Sequence, residues 1–196
     1  MVMRKKYHEI WDSFLQLIKK VCYNTLMKSK REVSIMDADN QMVAHAHGEV
    51  DSIDFAIYLS KKAQEFGKTA NVTKIQKWLY ICYGLYLAAY ERQLLTERPK
   101  AWDYGPAFPR VHKKQKKTND GLTNLINTIT NNDLTKYDPV IRATLDNFGD
   151  WTAGELVAWT HEPDKAWRKT LSSDGIYAAM SNENISKDFK EMFKDG

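Results

Sequence analysis

The chain is poor in several things that would have decided its class at once. It has only two cysteines, Cys22 and Cys82, among 196 residues. That excludes a disulfide-rich scaffold, and two thiolates cannot complete a zinc site unaided. Nine glycines occur, but neither G-x-G-x-x-G nor G-x-x-x-x-G-K-[ST] is among their spacings, so no nucleotide-binding loop can be read. No apolar run approaches the ~18–20 residues of a membrane span. The first residues are basic but lead into no apolar stretch and no small-residue cleavage site, which predicts a cytoplasmic chain without a membrane partner. There is no G-x-S-x-G and no H-E-x-x-H.

What is present suits a folded domain with an appendage. Hydrophobic residues make up 43% of the chain and aromatic residues 12%, too much for a disordered polymer. The formal net charge of +4 is distributed in blocks. Residues 1–31 are net +6, 32–55 net −6, 56–117 net +9 and 118–196 net −5. The third block ends in the patch Arg110 to Lys117, which suits phosphates or an acidic partner. A solvated helix end accounts for it more simply, because lysines near a C-terminus complement the helix dipole and no aromatic residues alternate with them.

Periodicity predicts helices nearly throughout. Tyr7, Ile10, Trp11, Phe14, Leu17, Ile18, Val21 and Leu26 recur at spacings of three and four, which predicts an N-terminal amphipathic helix over 5–29. Residues 32–48 lose that period and read as an acidic linker. A helix starts at Asp51 or Ser52 and stops at Gly67. Thr73 and Gln76 have capping-box spacing and predict a helix to about Arg92, apolar nearly all round and therefore central. Pro99, Pro106 and Pro109 with Gly105 forbid a continuous helix across 94–109, so short extended pieces are expected there. Pro109 suits the first turn of a helix to Lys117. Residues 118–137 read as irregular. Asp138-Pro139 opens a helix ending at Gly149, Thr152 and Glu155 form a capping box, Pro163 opens a helix bearing Trp167, and Ser186 caps the last. The fold class is therefore mainly α: a compact helical domain over 49–196, with short extended segments around the Trp-x-Tyr-Gly-Pro loop, preceded by an arm and linker over 1–48.

Few groups suggest catalysis. His45 and His47 with Asp37 and Asp39 fail as a calcium loop, since the sixth position is Met42 and the twelfth Gly48; no metal or cofactor is assigned. Cys82 lies on the apolar stripe of the central helix and reads as structural. Trp102 and Tyr104 are loop aromatics beside Gly105 and Pro106. They either plug the core edge or present a binding surface, and His161 before Pro163 has the same two readings.

Three segments then carry a resemblance. Thr73 to Ala88, the loop Ala101 to Val111 containing Trp102-Asp103-Tyr104-Gly105-Pro106, and Leu156 to Trp167 containing Thr160-His161 stand in the order seen in the Panacea antitoxin domain. The chain resembles that SocA/GepA-like family over about 51–193, including an opening helix at 51–59. It departs from the family pattern at Trp78, Ala107 and Ala166. The resemblance implies a non-enzymatic antitoxin of a bacterial or phage toxin–antitoxin system, binding a cognate toxin encoded by a neighbouring gene. The residues expected near such a contact are Tyr80, Tyr83, Trp102, Tyr104 and His161; the arm, which lies outside the resemblance, either packs on the domain's own core or adds partner specificity through Trp11, Phe14 and Leu17. Two alternatives stay open: an adaptor delivering the toxin to a cytosolic protease, and a nucleic-acid-binding autorepressor, which lacks a helix-turn-helix signal.

Overall fold

The computed structural model describes residues 49–117 and 133–192. The expected N-terminal helix, with Trp11, Phe14 and Leu17, and the acidic linker with His45 and His47 lie outside the described residues. The elements in chain order are α1 (Ser52–Glu65), α2 (Val72–Tyr90), β1 (Lys100–Trp102), β2 (Gly105–Ala107), α3 (Pro109–Lys117), a 3-10 turn (Thr135–Tyr137), α4 (Asp138–Phe148), α5 (Ala153–Thr160), α6 (Ala166–Asp174) and α7 (Asn182–Met192). Seven helices and one small hairpin make the described part mainly α, as the sequence predicts.

Helix α2 is the axis. Every residue from Lys74 to Leu85 is buried, and α1, α3, α4, α5, α7 and β2 all pack on it. Each large apolar side chain so enclosed contributes roughly 1.5–3 kcal/mol. Gly84 lets α7 approach: a Cβ there would fall 2.1 Å from the Phe189 ring. On another side α4 is keyed by polar contacts. Trp78 Nε1 donates to the Phe148 carbonyl at 3.1 Å, and Lys74 Nζ to the Gly149 carbonyl at 2.9 Å. Cys82 is fully buried, 3.2 Å from Thr144 Oγ1. Burial pushes its thiol up to about 12, so it is a structural cysteine.

Local signals explain most boundaries. The Asp51 carboxylate accepts from the Ile53 amide at 2.8 Å and caps α1, which stops at Gly67 with φ +66°. Thr152 and Glu155 form the reciprocal capping box of α5. Pro109 opens α3. Four expectations are corrected. The Thr73–Gln76 box does not form: Asn71 caps α2 by accepting from the Lys74 amide at 2.8 Å, and Gln76 is taken for another purpose. Asp138 is the first helical residue of α4 rather than its cap. Pro163 lies in a turn, and α6 starts three residues later. Ser186 lies inside α7, and it is the Asn184 amide in the first turn that donates to the Ser181 hydroxyl oxygen.

The hairpin is antiparallel, with Lys100 opposite Ala107 and Trp102 opposite Gly105. Its outer strand is covered by the segment after α6. The Tyr177 amide donates to the Ala101 carbonyl at 2.7 Å, the Ala101 amide to Ala178 at 2.9 Å, and the Met180 amide to Pro99 at 2.9 Å.

Candidate functional site

The three segments that carried the family resemblance come together beneath and around this hairpin. Lys77 of α2 is 2% exposed, and its Nζ donates to the Pro106 carbonyl at 2.9 Å. No carboxylate faces the amine, and burial pulls its pKa down to about 7. Gly105 closes over it with φ +89°. A Cβ at that position would lie 2.5 Å from Thr160 Oγ1 and 3.1 Å from Lys77 Nζ, so only glycine fits both the backbone and the space.

Gln76, next to Lys77, fastens the end of the hairpin. Its Oε1 accepts from the Phe108 amide at 2.7 Å and its Nε2 donates to Gln115 Oε1 at 2.8 Å. One buried amide thus ties α2 to β2 and to α3. On the far side Trp167 of α6 donates from Nε1 to the Trp102 carbonyl at 2.9 Å. The Trp167 ring stacks on His161 with centroids 3.7 Å apart and planes 10° from parallel. The Arg168 guanidinium lies over the same Trp167 ring, 5.2 Å from its centroid. Burial first, then Lys77 and Arg168, hold the His161 imidazole below its ordinary pKa.

Two buried polar atoms here have no hydrogen-bond partner among the described residues: Trp102 Nε1 and His161 Nε2. Such orphans are uncommon in native interiors. The Trp102 ring itself is half-buried, edge-on to His112 at 4.9 Å and to Tyr177 at 5.9 Å. At the hairpin tip Tyr104 is 76% exposed.

The residues expected at a partner surface therefore separate into two groups. Trp102, Tyr104 and His161 belong to the hairpin locus, with Tyr104 outermost. Tyr80 and Tyr83 are placed in the core. Tyr80 is enclosed by Phe189 and Trp159, with ring centroids at 5.6 and 6.5 Å, and burial, then Asp188, raises its hydroxyl pKa. Tyr83 donates its hydroxyl to Asn182 Oδ1 at 2.6 Å. Both lie on the helix that everything else surrounds, which is why their rings face inward. Sequence reasoning missed Lys77, Gln76 and Tyr177. A charged and an amide side chain in the middle of an otherwise apolar helix face were the available signal for the first two. Tyr177 carried none.

The locus has an aromatic rim and buried polar anchors, with Lys77 roofed by Gly105 and Pro106. Among the described residues, no cluster of three His, Cys, Asp or Glu side chains is arranged to hold a metal, and no helix is long and apolar enough to cross a membrane. This is a mainly α domain built around a braced aromatic hairpin. Residues 75–168 match the model of the family described as antitoxin SocA-like, Panacea domain, the family that the motifs resemble. No curated protein and no solved structure matches the chain significantly.

Proposed function

We propose that this chain is a cytoplasmic antitoxin that neutralises a cognate protein toxin by direct contact, with the hairpin locus as part of the contact surface. The family supports a toxin–antitoxin role. The observation that favours contact through the hairpin is the placement of Tyr104: an aromatic ring left in solvent at the tip of a hairpin whose base is fastened by Lys77, Gln76 and Trp167. A rigid base lowers the ordering cost of binding, and tyrosine is enriched at interface hot spots. A standard interface of about 1,600 Å² extends well past the hairpin, which leaves room for Trp11, Phe14 and Leu17 of the 1–48 arm to add specificity. In this reading residues 49–196 form the folding unit and 1–48 an appendage.

The test is growth rescue with the product of the adjacent reading frame. That product is expressed alone, with the full chain, and with a 49–196 truncation, and each tagged chain is pulled down. Relief of toxicity with a stable complex supports neutralisation by contact. Relief accompanied by loss of the neighbour's product, abolished in a protease-deficient host, supports delivery to a protease instead. A harmless neighbour that forms no complex removes the reading.

A further inference from the structure

The basic patch on α3 acquires neighbours that the sequence did not give it. Five Lys or Arg and no acid occur in the nine residues Pro109–Lys117. Arg110 is spoken for by Asp51 at 2.7 Å, but Lys113 and Lys116 are exposed and have no ion pair among the described residues. His112, one turn before Lys116, meets the edge of Trp102, and Lys116 acts on its imidazole together with burial to lower its pKa. On its other side Trp102 meets Tyr177, which is 55% exposed, beside Ile176 at 42%. Tyr177 is held outward at φ +65° by its amide bond to Ala101. The fold thus brings Trp102, with Tyr177 on its other side, to the His112 ring of the helix that carries the lysines.

Resting on the antitoxin reading, we propose that the toxin presents an acidic face to Lys113 and Lys116 while its apolar groups cover Tyr104 and Tyr177. Exposed lysines on the helix that Trp102 meets, together with the exposed Tyr104 and Tyr177 rings, give a mixed surface whose charge is complementary to carboxylates, and such complementarity steers association and selects the partner. A protein fits better than a nucleic acid. Asp103 adjoins Tyr104, and Asp174 lies just before the Ile176–Tyr177 turn, both exposed. These carboxylates stand where a phosphate chain stacked on the two rings would run, and phosphate contacts dominate nucleic-acid affinity.

The experiment uses the full chain and the product of the adjacent reading frame, with affinity measured from 50 to 300 mM salt. Lys113→Glu with Lys116→Glu is expected to weaken binding at least tenfold at low salt and to flatten the salt dependence. Lys113→Gln with Lys116→Gln falls between that pair and the wild type, and Tyr104→Ala with Tyr177→Ala weakens binding at all salt concentrations. Lys61→Glu on α1 serves as a charge-reversal control and leaves affinity unchanged. Thermal melts confirm that each variant is folded. Wild-type affinity for the neighbour's product combined with unaltered affinity in both lysine variants overturns the inference and leaves the antitoxin reading standing. Lysine-dependent binding of a 20-base-pair duplex, with the protein partner unaffected, overturns it in favour of a nucleic acid. No complex with the wild-type chain overturns both.

Discussion

The ammonium group of Lys77 meets the carbonyl of Pro106 at 2.9 Å, inside the protein and with no acid to balance it. A base whose folded pKa lies near 7 and whose unfolded pKa lies near 10.4 binds more protons when unfolded. Its contribution is fully present above the unfolded value and is lost as pH falls toward 7. Stability should therefore rise between about pH 7 and pH 10, with a slope from this group approaching about 1.4 kcal/mol per pH unit. Lys77→Met removes that slope. Chemical denaturation of both proteins at pH 6, 8 and 9.5 should show the variant's relative advantage shrinking as pH rises. A constant difference across that range would mean the amine is not held in a dry site.

Gly84 is the point of closest approach between α2 and α7. Gly84→Ala drives a methyl into the Phe189 ring and should cost about 1–3 kcal/mol, the usual range for overpacking. Phe189→Leu alone also destabilises, but the two together should lose less than the sum. A double-mutant cycle from urea melts measures the coupling; strict additivity would place the two residues out of contact.

Gly105→Ala combines a strained φ with a collision against Thr160. It should lower stability by about 1–3 kcal/mol. Thr160→Ala in the same chain relieves the collision but not the strain, so rescue should be partial. Thermal unfolding distinguishes this from full rescue, which would assign the whole effect to the side chain.

Tyr104 and Tyr83 should behave oppositely. Tyr104→Ala touches nothing buried and should leave stability within about 0.5 kcal/mol, while weakening the toxin complex by about tenfold or more. Tyr83→Phe removes the bond to Asn182 and should cost roughly 1 kcal/mol of stability with no change in affinity. Calorimetric melts and binding titrations on the same two samples check both halves.

Much of the fold was legible because the signals were local. The alternation of Phe55, Leu59 and Ala63 with polar neighbours, Thr152 with Glu155, and prolines around Gly105 each act within one turn. The failures have a common cause. Thr73 and Gln76 stand at capping-box spacing, but the buried amides of Phe108 and Gln115 compete for Gln76 and win, while Asn71 supplies the cap. Tyr80 and Tyr83 read as surface candidates because an all-apolar helix gives no sign of which side stays exposed. Trp102, Tyr104 and His161 could be singled out because glycine and proline beside aromatics are informative without tertiary knowledge. Tyr177 could not, since its place next to Trp102 comes only from the segment 177–180 lying along β1.

That segment has a further effect. A two-stranded ribbon ordinarily leaves a row of unpaired amides and carbonyls, an invitation to add strands from other molecules. Here one margin is occupied by the backbone of 177–180, bridged through Lys100 and Ala179, and the other strand rests against α2. The hairpin can therefore leave the Tyr104 ring in solvent without offering an open strand edge as a template for further strands.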